Sequence, residues 1–429
     1  MRFGNRFGVI IGLVISSIAD QPISFASVPS HQTTIQGHVH TFGSHHHQIV
    51  QPAPVQAVPT VNVRDFGAVG DGVTDDTNAI QNAFNTAQAS GKGVLFPAGT
   101  YLHTSTVTAN SIPLFGVGGG STLLANNPNS TALILTGVSP SIQNMVVSSI
   151  QASSGSEDTT PTHSTLLVQG AQGFVVQRIT IVQGMGRVGV FLQQSAVGNA
   201  SGVTFNGTGS DQDVGIQMDG CANVSLLGNL MLNEGIAVCI ESLSNFVSQS
   251  IAIIGNSIST SAPLGSGICI FSATTAVNIM DVSQNQIQIP PAPGNLAISI
   301  QGANNYSVSQ NITSGGVTGI FLFNQDGASG TVSQNTFRNC EATGAVLFST
   351  SNGTLQFIGN QFGECNGALL PNTAVIDCSP SGGPDSIILL NNVYAGHANG
   401  LTDFISSSAH LNFVSGNAQT QTALPNQIP

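Results

Sequence analysis

The sequence predicts an all-β protein: a right-handed parallel β-helix with an N-terminal capping α-helix. Three observations predict it. From residue 165 onward, short apolar strands beginning near a glycine recur: "TLLVQG", "VGVFLQQ", "VGIQMDG", "GIAVCIES", "GICIFS", "LAISIQG", "TGIFLFN" and "GAVLFS". Between them runs a second family anchored on Asn206, Asn229, Asn256, Asn285, Asn311, Asn335 and Asn360, spaced 23 to 29 residues apart. Ahead of both stands one amphipathic segment, Thr77–Ala89. A period near 25 residues, built of period-two strands and Gly/Asn/Ser turns, marks a solenoid whose coils bury one face only by stacking. About twelve coils at roughly 4.8 Å each give a rod on the order of 60 Å long. Asparagine at a fixed turn position tolerates left-handed geometry and stacks as an amide ladder.

The elements follow in order. Residues 1–26 carry Arg2 and Arg6, an apolar run from Phe7 to Ile18 and a small-residue stretch ending near Ala26, the pattern of a secretory signal. A secreted or periplasmic location follows. Residues 27–60 hold His31, His38, His40, His45, His46 and His47 among Gln, Pro and Thr, and read as a solvated linker. Residues 61–415 form the β-helix domain, and 416–429 a polar tail. At the start of the domain, "VNVRDFGAVGDGVTDDTNAIQNAFNTAQASGKG" concentrates Asp65, Asp71, Asp75 and Asp76. The order of residues does not match a calcium loop, because the glycine comes second and no bidentate Glu follows. Turn and cap chemistry explains the four acids instead. Ala79, Ile80, Ala83, Phe84 and Ala87 share one helical face, with Gly91 placed for a left-handed C-cap. Such a helix covers the open end of the first coil.

Composition excludes other classes. Only 6% of residues are charged and the net charge is −12 with seven Lys and Arg, which leaves no basic footprint for nucleic acid. Trp is absent, so a sugar-stacking surface rests on Phe.

"VRDFGAVGDGVTDDTNAIQNAF", followed by "GKGVLFPAGTYL", resembles the N-terminal signature of the pectate-lyase superfamily of right-handed parallel β-helix proteins. That group includes polygalacturonase-like hydrolases, alginate epimerases and phage tailspikes. The resemblance spans about forty residues and implies the fold, a polysaccharide partner, and a monomer or homotrimer. In the enzymes of this group the substrate lies across the outer face of the principal strands.

Strand alternation sends Val190, Leu192, Ile216, Met218, Ile236, Val238, Ile268 and Ile270 inward. The outward row then includes Arg187, Phe191, Gln193, Asp213, Gln217, Asp219, Glu241, Phe271, Gln301, Phe321 and Phe323. Among these, Phe191, Gln193, Gln217, Phe271, Gln301, Phe321 and Phe323 are suited to sugar hydroxyls and ring faces. Stacking Gly189 on Gly215 puts Arg187 beside Asp213. The resemblance to lyases implies a β-elimination with Arg187 as base and Ca²⁺ held by Asp211, Asp213 and Asp219. Aligning "GIAVCIES" on "VGIQMDG" by their glycines offsets Glu241 from Asp219 by about two residues. At that offset the two backbones stand roughly 8 Å apart, within the span of an inverting hydrolase pair. Arg187, Asp213, Asp219 and Glu241 are therefore the catalytic candidates. The characteristic Asn-Thr-Asp, Asp-Asp, Gly-His-Gly and Arg-Ile-Lys set of polygalacturonases and the Asp-Pro-His-Asp set of epimerases are missing. That absence keeps a non-catalytic glycan-binding or surface protein beside the lyase and the hydrolase. Of the six cysteines, Cys340 and Cys365 are placed to stack, either bridged or as reduced ladder residues, and Cys239 and Cys269 to stack on the outer strand face.

Overall fold

A computed structural model describes residues 58–150, 163–241, 247–263, 265–271, 277–292, 294–324, 329–340, 343–349, 354–363, 376–377, 386–395 and 411–420. The predicted signal segment, all six linker histidines, Cys365 and Cys378 lie outside the described residues.

Each coil is three strands. In one, Val188–Gln193 is followed by Ala196–Ser201 and then Thr204–Asn206. First and second strands join in one 25-stranded sheet, and third strands form a 14-stranded sheet. Pairing is parallel, coil upon coil: Val190 lies on Ile216, Ile216 on Val238, and Val238 on Ile268. All four are fully buried. Their branched side chains pack well on a pleated surface, and period-two alternation keeps them on the inner face. Of the eight residues expected inward, seven lie in one core running the length of the solenoid, whereas Ile236 packs in a separate cluster with Val188 and Val214.

The corner between second and third strands takes a left-handed residue in each coil: Gly228 (φ 57°), Gly255 (66°), Gln284 (58°), Gln310 (57°) and Gln334 (56°). The next residue is the asparagine. Asn256 Nδ2 donates to Asn285 Oδ1 and also back to the Leu226 carbonyl, while Asn285 Oδ1 accepts a second bond from the Asn256 backbone N–H. Each amide thus finds its partners within the stacked coils. The ladder runs from Asn229 through Asn256, Asn285, Asn311, Asn335, Asn360 and Asn392 to Asn417, with side-chain bonds of 2.8–3.0 Å. Two differences from the sequence expectation stand out. Thr204 pairs with Leu230, so Val203 rather than Asn206 occupies the ladder position. At the far end, the third strand Ala418–Thr420 pairs with Val393–Ala395, so ordered coil extends past residue 415.

The helix Thr77–Ser90 buries the expected face of Ala79, Ile80, Ala83, Phe84 and Ala87, and packs on the strands Thr60–Asn62, Gly93–Leu95 and Val107–Asn110. Gly91 (φ 63°) ends it, as a left-handed cap requires. The acids of this stretch tie turns. Asp71 accepts from the Val73 and Thr74 N–H groups, and Asp75 from the Thr77 N–H and the Thr104 hydroxyl. Asp76 is the N-cap residue, yet its carboxylate turns away from the helix to accept from Val69 and Gly70. Hydrogen bonds hold Asp71 and Asp75 below the usual carboxylate range, the Thr74 N–H contributing most at Asp71 and the Thr77 hydroxyl most at Asp75.

Two aromatic residues of the core need a glycine in the next coil. A Cβ on Gly198 would stand 2.2 Å from the Phe174 ring, and one on Gly330 would stand 2.2 Å from that of Tyr306.

Candidate functional site: the outer face of the first strands

The outer residues of the first strands form two rows that run across the coils. One row, near the strand ends, stacks Gln169 on Gln193 and Gln193 on Asp219, then Glu241 on Phe271, Phe271 on Gln301 and Gln301 on Phe323. Because Met218 pairs with Ile240, Asp219 and Glu241 are direct neighbours. This corrects the two-residue offset. The structure pairs Val214 with Ile236, so Ala237, not Gly235, takes the place of Gly215. The second row, two residues earlier, stacks Phe191 on Gln217, Gln217 on Cys239, Cys239 on Cys269, and Ser299 on Phe321.

This face is more closed than alternation alone implies. Asp219 is 3% exposed and Glu241 8%, and Gln217 and Gln301 are also buried. Gln193, Phe271, Phe321 and Phe323 are half-buried. Phe191 is 1% exposed and joins Leu167, Val188, Val214, Ile236, Cys239 and Cys269 in a second apolar cluster on the outside of the coil. It is packing, not a sugar platform. Parallel strands covered on both sides carry apolar residues on both faces, which is the pattern found here. Gln217 Nε2 lies 3.4 Å from Glu241 Oε2 and ties the two rows diagonally. Cys239 and Cys269 stack as expected and are free thiols, as are Cys221 and Cys340. Burial pushes Cys269 up to about 12 and Cys239 well above the usual thiol range, so neither is a nucleophile at neutral pH.

Arg187 sits one coil from Asp213, as the stacking of Val188 on Val214 requires. The guanidinium, however, turns away from the row. Its Nε donates to the Ile150 carbonyl (2.7 Å), Nη1 to that of Ser130 (3.1 Å) and Nη2 to that of Asn127 (2.7 Å). The side chain is fully buried, and desolvation lowers its pKa only to about 10, so it remains charged at neutral pH. Arg187 is a brace for the preceding turns and is not poised as a base. Asp213 is likewise a brace. Its Oδ1 accepts from the Gly186 N–H (2.9 Å), and its Oδ2 from the Thr208 N–H (2.7 Å) and hydroxyl (2.6 Å). A short turn between strands leaves backbone groups unpaired, and these two side chains supply the missing partners.

The calcium expectation fares no better on the donor set. Asp213 is fully buried with both oxygens engaged, and among the described residues no three His, Cys, Asp or Glu side chains converge as a metal group. Asp211, Asp213 and Asp219 do not come together as ligands, so no chemical step is routed through Ca²⁺.

Sequence reasoning passed over a buried polar cluster at the corner before the first strands. Gln183 Nε2 donates to Glu234 Oε2 (2.9 Å), and Glu234 is 1% exposed. His103 is buried too, with Nδ1 at 2.8 Å from the Ser105 carbonyl and its pKa lowered by desolvation. His163 is buried at the start of strand Ser164–Gln172 and does not stand on an open loop. In a chain with only 6% charged residues, the signal was the rarity itself: each acid inside a repeat invites a search for its partner. A second concavity, of about 890 Å³, lies on the outer face of the second strands, lined by Asp281, Ser307, Thr331 and Gln356 among others. Left-handed Ser250 and Asn305 bend those strands around it.

A solenoid of parallel coils with a carboxylate-bearing row across its first strands is a parallel β-helix. Residues 60–263 match the family described as "Rhamnogalacturonase A/epimerase, pectate lyase-like". A stretch of 41 residues is 61% identical to mannuronan C5-epimerase AlgE1 of Azotobacter vinelandii, and covers 9% of this chain and 3% of that protein. Another, of 44 residues, is 57% identical to plasmin and fibronectin-binding protein A of Streptococcus pneumoniae, covering 10% of this chain and 6% of that one. The chain therefore aligns with only a small part of the length of these relatives. Among solved structures, the A-module of mannuronan C-5 epimerase AlgE4 from Azotobacter vinelandii superposes with a TM-score of 0.58 at 15% identity, over 83% of this chain and 100% of that one. At that identity the likeness establishes the fold alone.

Proposed function

We propose that this chain is a polysaccharide-active protein of the cell exterior. Its glycan crosses the coils on the outer face of the first strands, and Asp219 and Glu241 form the acid–base pair. The observation that carries this reading is the strand register, Met218 on Ile240, which makes Asp219 and Glu241 neighbours on adjacent coils within the Gln193–Phe323 row. Adjacent coils lie about 4.8 Å apart, so carboxyls in register approach the roughly 5–5.5 Å separation of retaining glycoside cleavage and fall short of the inverting span. In retaining cleavage one carboxyl of such a pair protonates the leaving oxygen and the other attacks or stabilises the sugar. Half-buried Phe271 and Phe323 with Gln193 and Gln301 offer ring faces and amides on either side of the pair. The lyase reading is the weaker for having lost Arg187 as its base.

The family match and the epimerase relative support a polysaccharide as the partner. A second reading, glycan binding without catalysis, draws on the low exposure of Asp219 and Glu241. One experiment separates the readings. Purified protein is incubated with neutral and uronate-containing polysaccharides, and both new reducing ends and unsaturated uronate are measured. New reducing ends that vanish in Glu241→Gln and Asp219→Asn, with binding retained, support the retaining pair. Binding without products supports the second reading, and unsaturated uronate would restore the lyase.

A further inference from the structure

We infer that Glu234 carries a proton in the folded protein and closes a two-hydrogen-bond ring with the side-chain amide of Gln183, forming a proton-dependent clasp between coils. The clasp lies beside the proposed sugar face and would hold whatever that face does.

Gln183 directly follows the third strand Thr180–Val182, and Glu234 lies just beyond Leu230–Leu232, two coils on. The intervening coil passes between them at Gly207, where a Cβ would stand 2.8 Å from Glu234 Oε2. Across this gap Gln183 Nε2 donates to Glu234 Oε2 at 2.9 Å, and also to the Arg187 carbonyl at 3.1 Å. That satisfies both amide hydrogens. What remains is one oxygen on each side chain: Gln183 Oε1 and Glu234 Oε1 are both buried and both lack a hydrogen-bond partner. An ionised carboxylate and an amide oxygen are acceptors only, so as a carboxylate the pair would leave two buried acceptors unmatched. A proton on Glu234 Oε1 turns it into a donor, and a single O–H···O bond to Gln183 Oε1 satisfies both atoms.

The surroundings favour the neutral acid. Glu234 is almost wholly buried, and the charged group facing it is another carboxylate, that of Asp213, whose oxygens are engaged by Gly186 and Thr208. Arg187 offers the pair only its backbone carbonyl, because its guanidinium is spent on Asn127, Ser130 and Ile150. Burial first, and then Asp213, push Glu234 well above the usual carboxylate range. A cation is the competing occupant. Calcium takes about six to eight oxygens, whereas two lack partners here.

A raised folded-state pKa fixes the sign of the effect. The clasp's contribution is fully present below the unfolded glutamate value of about 4.3, and is lost as pH rises through the folded value. The test uses the full chain labelled with ¹³C at the glutamate carboxyls, of which there are five. At neutral pH one carboxyl resonance should remain in the acid form, and it should disappear in Glu234→Gln. The thermal midpoint of the wild type should fall between pH 5 and 9 more steeply than that of Glu234→Gln, whose amide makes the same two bonds without a titrating proton. Five ionised resonances at pH 7 would overturn the assignment even if the variant failed to fold. So would a wild-type midpoint that calcium raises and chelator lowers while Glu234→Gln ignores both.

Discussion

The corner that precedes each third strand is built in two ways along this solenoid. In the first half Met145, Ile179 and Val203 fill it with buried hydrocarbon, and from Asn229 to Asn417 an unbroken amide ladder takes over. Both close the same geometric gap. The apolar corner is satisfied by packing that adapts to neighbouring volume. The amide corner is satisfied by hydrogen bonds, each of which depends on the coil before and the coil after. Hydrocarbon therefore tolerates isolated change, whereas the ladder transmits it.

The sharpest way to break the symmetry is Asn311→Leu. It would strand the Asn285 N–H, one Asn285 Nδ2 hydrogen and the Val282 carbonyl within the corner, while the N–H of residue 311 keeps its bond to Asn335 Oδ1. At about 1–3 kcal/mol for each buried group left unpaired, the loss should be on the order of 4 kcal/mol, read as a lower denaturation midpoint. Gly330→Ala should cost about 1–3 kcal/mol by driving a methyl group into the Tyr306 ring, and the equivalent Gly198→Ala should do the same at Phe174. The reverse substitution, Val203→Asn, extends the ladder by one rung, since the Val203 N–H already donates to Asn229 Oδ1. It should cost less than Asn311→Leu, about 1–2 kcal/mol, because the new amide has a partner on one side. The smallest effect is at the N-terminal turns. Asp75 is held ionised by Thr77 and Thr104, so its contribution is present above the unfolded carboxylate range and lost as pH falls through the lowered folded value. Hydrogen-exchange protection, relative to the intrinsic rate at each pH, should fall in acid at the start of the helix Thr77–Ser90, and Asp75→Asn should remove that fall.

The same contrast explains what could be read from the sequence. The ladder half was legible because Asn follows Gly or Gln at a steady interval, and Gly189 on Gly215 gave the correct register for Arg187 and Asp213. The error at Glu241 came from treating glycine as the marker. The position demands only a small residue, and Ala237 fills it as well as Gly215 does, since the next coil's backbone passes close by. Asn206 misled for the opposite reason: it is an Asn in the right interval but at a strand end, three residues beyond the corner. What sequence could not convey was direction. Arg187 stands where a base was expected, yet its guanidinium answers three stranded carbonyls from earlier turns, a demand that arises only once the coils are stacked. The Gln183–Glu234 pair, 51 residues apart, belongs to the same class of fact.

The central claim is that the glycan crosses the first strands at Asp219 and Glu241. A crystal structure of Glu241→Gln soaked with an oligosaccharide tests it most directly. Sugar rings bridging Gln193, Phe271 and Gln301 over the substituted position are the predicted result. Sugar seated instead in the concavity of Ser307, Thr331 and Gln356 on the second strands, with the first-strand row empty, would contradict it.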